Sequence, residues 1–158
     1  MTPQIQFEPE RIEQMIAALR EAGMRITPQR VAVCEALVAT DSHPTAQDLF
    51  DQLSARYATL SRATVYNTLE ALIDLDLAQP LVVDSDGAMR YDANLAPHAH
   101  LVCTRCHRVE DFQPHTLARQ LAAVSAATGY AFRGLCTFYH GLCPECQQRL
   151  GGHARSSQ

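Results

Sequence analysis

Lysine is absent from the sequence, so every basic side chain other than histidine is arginine. Arginine presents a planar fork of donors that suits phosphate and guanine better than an ammonium does. Also missing is any apolar run near the roughly 18 residues of a membrane-spanning helix, which excludes such a helix. Met1 to Pro9 is polar and acidic, with no basic stretch ahead of an apolar core, so no secretory signal is expected. There is no internal repeat, no low-complexity tract and no His-Glu-x-x-His of the metalloprotease kind. The net charge of −4, with residues 1–91 acidic overall, argues against bulk attraction to nucleic acid. Any DNA contact must come from a local basic face. What is present is 158 residues with 47% apolar content. That is enough for one domain or two small ones and too apolar for global disorder.

Cysteine is the informative residue. Four of the six cysteines fall into two Cys-x-x-Cys pairs, Cys103/Cys106 and Cys143/Cys146. Each pair can offer two thiolates from one tight turn, and four thiolates suit tetrahedral Zn2+. The loop from Cys106 to Cys143 is wider than in a simple zinc ribbon. A helix and strands must lie inside it, so a structural zinc would clip the chain's end onto an earlier hairpin. Cys34 and Cys136 stand outside this scheme among apolar neighbours and are expected as buried thiols.

Ile12, Met15, Ile16 and Leu19 follow helical spacing and Gly23 is a stop. Thr27-Pro28 opens a second helix with Val31, Val33, Cys34 and Leu37 on its apolar face. Thr45 caps a third, with Asp48 as its capping-box partner and Leu49, Phe50 and Leu53 inward. Ser61 caps a fourth, with Val65, Leu69, Leu72 and Ile73 as its buried stripe. A strand over Leu77 to Val83, a turn at Asp84-Ser85-Asp86-Gly87 and a return strand over Ala88 to Tyr91 make a hairpin. Helices followed by such a hairpin read as a winged helix-turn-helix, with the fourth helix as reader. Residues 92–97 are a short linker. Strand-like runs follow at Ala99–Cys103 and Val109–Phe112. Then come a helix with Leu117, Leu121 and Val124 inward, ended by Gly129, a further strand within Tyr130 to Leu142, and a short turn or helix from Cys143. The expected fold class is α+β: a winged-helix domain over 1–91, a hinge over 92–97, a small α/β domain over 98–150 carrying the four-cysteine site, and a frayed tail over 151–158.

His98 and His100 are two apart and share one face of a strand, so both rings can reach one ion. Asp92 and Asp111 flank them with hard oxygens. His43, before Pro44, reads by itself as a loop or capping residue. Imidazole and carboxylate together suit Fe2+, Mn2+ or Zn2+. On the fourth helix, Tyr66 can touch a thymine methyl while Arg62, Thr64 and Asn67 reach base edges or phosphates. Arg25 and Arg30 are candidate phosphate contacts. His107, His115 and His153 read as ordinary exposed histidines.

Several motifs, in order, resemble one family. Arg25-Ile26-Thr27-Pro28-Gln29-Arg30, His43-Pro44-Thr45-Ala46 and Ala63-Thr64-Val65-Tyr66-Asn67-Thr68-Leu69 are similar to the DNA-binding half of the ferric-uptake-regulator (Fur) family. His98-Ala99-His100-Leu101-Val102-Cys103-Thr104-Arg105-Cys106 with Cys143-Pro144-Glu145-Cys146 resembles its dimerisation half. The resemblance spans about residues 10 to 150. It implies a cytoplasmic, homodimeric repressor that binds double-stranded operator DNA, touches no membrane and catalyses no reaction. It also implies one structural Zn2+ per chain and one regulatory Fe2+ or Mn2+ held by His43, Asp92, His98, His100 and Asp111. Aspartate at 111 matches the peroxide-sensing branch, whereas the iron-uptake branch usually has glutamate there. An accessory site of some iron-uptake members is not expected, because its positions here are Pro97, Ala99 and Leu135. The resemblance thus points to peroxide sensing through oxidation of a ligand histidine. The alternatives are an iron- or manganese-uptake regulator and, further off, a zinc-uptake regulator. A hydrolase would need an open metal position and a general base. A Cys-x-x-Cys redox enzyme would need a thioredoxin-like βαβ setting.

Overall fold

A computed structural model describes residues 8–40, 42–82, 87–132 and 135–153. The described residues up to Leu95 form one compact unit and those from Ala96 onward a second.

The first unit holds helices α1 (Glu8–Glu21), α2 (Pro28–Val38), α3 (Ala46–Ser54) and α4 (Arg62–Asp74) and the strands β1 (Gln79–Val82) and β2 (Met89–Asp92). The end of α1 and the starts of α2, α3 and α4 fall where the sequence supplies partners for otherwise unbonded backbone groups. Met24 N–H donates to Leu19 C=O and Gly23 N–H to Arg20 C=O, both at 3.0 Å, and Gly23 takes a φ of +80°. That pair of bonds is a Schellman stop, which needs a left-handed residue. Thr27 accepts the Arg30 N–H and Pro28 opens α2. Thr45 accepts the Asp48 N–H at 3.0 Å while the Asp48 carboxylate accepts the Thr45 N–H at 2.8 Å, closing a capping box. Ser61 accepts the Thr64 N–H at 3.1 Å and starts α4.

Met15, Leu19, Val33, Cys34, Leu37, Leu49, Val65, Leu69 and Leu72 are buried together as the core of this unit. Fully burying an aliphatic side chain contributes about 1.5–3 kcal/mol, so this cluster holds the helices in place. Val31, expected inward, is half-buried, and Ala32, Ala36 and Val38 supply the rest of the α2 face. β1 and β2 pair antiparallel with Gln79 opposite Asp92. β1 starts at Gln79, two residues after the expected Leu77, with Val83 outside the described residues, and the return strand is shifted by one, so that Asp92 belongs to β2 and not to the linker. Most of its turn lies outside the described residues. Its base is tied to the start of α3 by Tyr91 N–H to Pro44 C=O at 3.0 Å. Helix, helix, reading helix and hairpin in this order make a winged helix-turn-helix.

The second unit holds β3 (His98–Cys103), β4 (Val109–Phe112), α5 (Leu117–Thr128), β5 (Cys136–Gly141) and α6 (Pro144–His153). Its sheet runs β4-β3-β5, with β4 antiparallel and β5 parallel to β3. The register sets His100 opposite Asp111 on one side of β3 and Cys103 opposite Gly141 on the other. α5 ends at Gly129, whose φ is +75°. Three expectations fail here. Val124 is 48% exposed, not inward, because a single chain covers α5 mainly at Leu117. Cys136 is exposed, because it starts β5 at the edge of the sheet. α6 also runs on to His153, past the expected start of the tail at 151.

Candidate metal centres and reading helix

The four thiols of Cys103, Cys106, Cys143 and Cys146 lie within 4.8 Å of one another. Cys106 Sγ and Cys143 Sγ are 3.7 Å apart. A disulfide needs about 2.05 Å. The edge of a ZnS4 tetrahedron with bonds of about 2.3 Å is roughly 3.8 Å, so the spacing is that of ligands around an ion. The parallel β3–β5 pairing creates the site, since it carries the turn after β5 to the turn after β3. Cys143 N–H points at Cys103 Sγ from 3.3 Å, and Thr104 N–H donates to Gly141 C=O at 2.8 Å. Backbone N–H groups of Cys106, Cys143 and Arg105 pull the Cys103 thiol down to about 5, while burial pushes Cys146 up to about 12. One thiolate is therefore ready-made, and Cys146 gives up its proton as a cation arrives. A closed set of four sulfurs leaves no position for substrate, which is the pattern of a structural zinc.

A different donor set sits on the antiparallel side of the sheet. His98 Nε2 is 3.4 Å and His100 Nδ1 is 3.2 Å from the same oxygen, Oδ1 of Asp111. The two imidazoles meet edge-on, 4.4 Å between centroids, and both are buried. His98 Nδ1 lies 2.7 Å from Ala96 C=O. A carbonyl can only accept, so Nδ1 carries the proton and Nε2 faces the carboxylate as an acceptor. Two acceptors at this distance require a cation between them, a ring proton or a metal ion. A backbone carbonyl that fixes the tautomer is also the usual outer partner of a metal-ligating histidine. The donors present therefore fit a borderline or hard divalent ion.

His43 and Asp92 belong to the first unit. His43, just before Pro44, has a φ of +50°, a region that few non-glycine residues visit. Its carbonyl lies 3.4 Å from Arg90 Nη1. Asp92 ends β2, where Gln79 Nε2 donates to one carboxylate oxygen at 2.9 Å and Asn94 N–H to the other at 2.7 Å. Gln79 was not legible as a supporting residue, because the pairing that sets it opposite Asp92 is a matter of strand register.

On α4, Tyr66 is 47% exposed, and Arg62 and Asn67 are exposed, whereas Val65, Leu69 and Leu72 are buried. The Arg62 guanidinium lies over the Phe50 ring, 5.2 Å from its centroid. Thr64 is half-buried and its hydroxyl is 2.9 Å from that of Ser61, so it serves the helix cap. Arg30 donates to the Arg25 carbonyl, while Arg25 itself is exposed. His107 and His115 are exposed. No helix among the described residues is long and apolar enough to cross a membrane.

A winged helix-turn-helix combined with a small α/β unit carrying four clustered thiols defines a metal-binding, DNA-binding regulator. A sequence model of the ferric uptake regulator family matches residues 21–135, and the chain belongs to that family. Its members are metal-responsive transcriptional regulators and not enzymes. Among curated relatives, the peroxide-responsive repressor PerR of Staphylococcus aureus (strain USA300) is 33% identical over 149 residues, 94% of this chain and 100% of the relative. Among solved structures, the Helicobacter pylori ferric uptake regulator Fur superposes with a TM-score of 0.71 at 19% identity, covering 87% of this chain and 92% of that one. That likeness is one of fold. A zinc uptake regulator complexed with zinc and DNA matches with a TM-score of 0.60 at 25% identity, over 90% of this chain and 96% of that one.

Proposed function

We propose that this chain is a homodimeric repressor that senses hydrogen peroxide through Fe2+ bound by His43, Asp92, His98, His100 and Asp111. The observation that carries the reading is the Asp111 carboxylate oxygen within 3.4 Å of two buried imidazole nitrogens. Aspartate at that position and the similarity to a peroxide-responsive repressor support the peroxide branch over metal uptake. Residues 1–91 bind operator DNA through Arg62, Thr64, Tyr66 and Asn67, with Arg25 and Arg30 on phosphates. Residues 93–97, after β2, are the hinge, and the unit from His98 through α6 is the dimerisation and metal-binding domain. One Zn2+ per chain is held by Cys103, Cys106, Cys143 and Cys146, and the setting is the cytoplasm.

The roles of the residues follow from their chemistry. The Ala96 carbonyl holds His98 with Nε2 toward the ion. Asp111 neutralises part of the cation's charge, and Gln79 and the Asn94 N–H orient the Asp92 carboxylate. His43 and Asp92 lie on the DNA-binding unit, so metal held by them would bias the state of that unit. Bound Fe2+ would supply redox chemistry toward peroxide, the net outcome being one oxygen added to a ligand imidazole and one water released for each peroxide consumed. A damaged imidazole is a poorer ligand, so metal and operator are released. Mn2+ in the same place would hold the repressor on DNA without that outcome.

Operator binding with Fe2+ against Mn2+, each with and without brief, low peroxide, tests the reading. Mass spectrometry of the same samples should find one added oxygen on a peptide holding His43 or His98, only with Fe2+. Asp111→Glu should blunt the response, since the longer carboxylate moves the ligand oxygen. Unmodified protein still on DNA would favour an iron- or manganese-uptake regulator. Oxidised Cys103 or Cys143 with intact histidines would mean a thiol switch.

A further inference from the structure

Arg108 joins the two cysteine turns through protein contacts alone. Its carbonyl accepts the Cys103 N–H at 2.9 Å, which closes the first turn. Its guanidinium reaches Glu145, which lies between Cys143 and Cys146. Nη2 donates to Oε2 at 2.8 Å and Nη1 to Oε1 at 3.2 Å. Nη1 also donates to Glu110 Oε1 at 3.2 Å, on the strand that leaves the first turn. Two parallel bonds from a planar fork fix orientation as well as distance, which a lysine could not do.

Arg108 is 43% and Glu145 58% exposed, and an exposed ion pair adds little to global stability. Its effect here is on register. The bonds from Thr104 N–H to Gly141 C=O and from Cys143 N–H to Cys103 Sγ tie the start of the second turn to the first. The guanidinium adds a hold on the residue inside the second turn itself. Loss of an ion from four sulfurs requires one turn to swing away from the other, and a bridge between the turns opposes that opening.

We propose that the Arg108–Glu145 pair is a positioning device that keeps the second cysteine turn in register with the first and sets how slowly the four-thiolate site releases zinc. This rests on the reading of Cys103, Cys106, Cys143 and Cys146 as a zinc site. The test is the rate at which zinc passes from the zinc-loaded full chain to a colorimetric chelator such as 4-(2-pyridylazo)resorcinol. The proteins compared are the parent, Arg108→Met, Glu145→Gln and the double variant. Glu145 also lies in the first turn of α6, where a carboxylate favours the helix start, so the double-mutant cycle is needed to isolate the pair. Each single variant should release zinc roughly tenfold faster, the low end of what outer partners of metal ligands contribute. The double variant should be no faster than the singles, and Arg108→Lys should recover part of the slow release. Far-ultraviolet circular dichroism should stay unchanged, since these side chains are exposed. Release at the parent rate in Arg108→Met, or an acceleration in the double variant equal to the product of the singles, would overturn the proposal. A parent chain that holds no zinc would overturn the four-thiolate reading along with it.

Discussion

Two substitutions on α4, one at a buried and one at an exposed position, should separate folding from reading. Leu69 is fully buried in the core of the first unit, and Tyr66, three residues earlier, is 47% exposed. Leu69→Ala removes three buried carbons and leaves a cavity, at a cost of about 3 kcal/mol within the usual span of 2–5. For a domain of this size each kcal/mol lowers Tm by about 4–8 °C, so the first unit should melt roughly 12–24 °C earlier. Tyr66→Ala removes a ring that is about half exposed and should cost less, about 1 kcal/mol or below. In DNA binding the order reverses. Loss of one base contact costs about 1–3 kcal/mol, and a mid-range value of about 2 kcal/mol corresponds to roughly 30-fold weaker binding per half-site. Leu69→Ala, held below its melting point, should keep operator preference. The assay is calorimetric melting paired with fluorescence anisotropy, using the duplex that the parent chain selects from a random pool. If Tyr66→Ala melts as early as Leu69→Ala, or binds that duplex as the parent does, the reading face of α4 has been misassigned.

Cys143→Ser should lower zinc from one per chain to near zero by elemental analysis and weaken the dimer in sedimentation. A dimeric, zinc-free variant would refute the structural role. Asp111→Asn should weaken Mn2+ binding by roughly tenfold or more, given that even outer partners of ligands contribute that much, while zinc content stays unchanged. The log–log salt dependence of operator affinity should flatten by about 0.9 for each phosphate contact removed, which Arg25→Ala measures directly. Burial pushes the Cys34 thiol up to about 12 from 9.0. The folded chain therefore holds a proton that the unfolded chain loses above pH 9, and stability should fall with rising pH between 9 and 12, with a slope approaching about 1.4 kcal/mol per pH unit. Cys34→Ala should reduce that slope in denaturant titrations at pH 8.5 and 10.5.

Whatever depends on neighbours in the chain was readable beforehand. Thr27, Thr45 and Ser61 cap their helices because the bonds they make are to backbone three residues on. Gly23 and Gly129 stop helices because only a left-handed residue completes those ends. The four zinc-type cysteines announce themselves through spacing within two turns. The sites themselves depended on strand register, which local sequence does not encode. Parallel pairing of β5 with β3 brings Cys143 to Cys103, and antiparallel pairing of β4 sets Asp111 against His98 and His100. The same limit explains what was misread. Val124 fits a helical apolar stripe, but its burial depends on what packs over α5, and Cys136 reads as a core thiol until its strand is placed at a sheet edge. Sequence therefore determined the helix ends and the ligand types of this chain, and tertiary structure decided which ligands meet. A hydrogen bond to a near neighbour needs only local geometry, whereas two distant residues meet only after the whole sheet between them has formed.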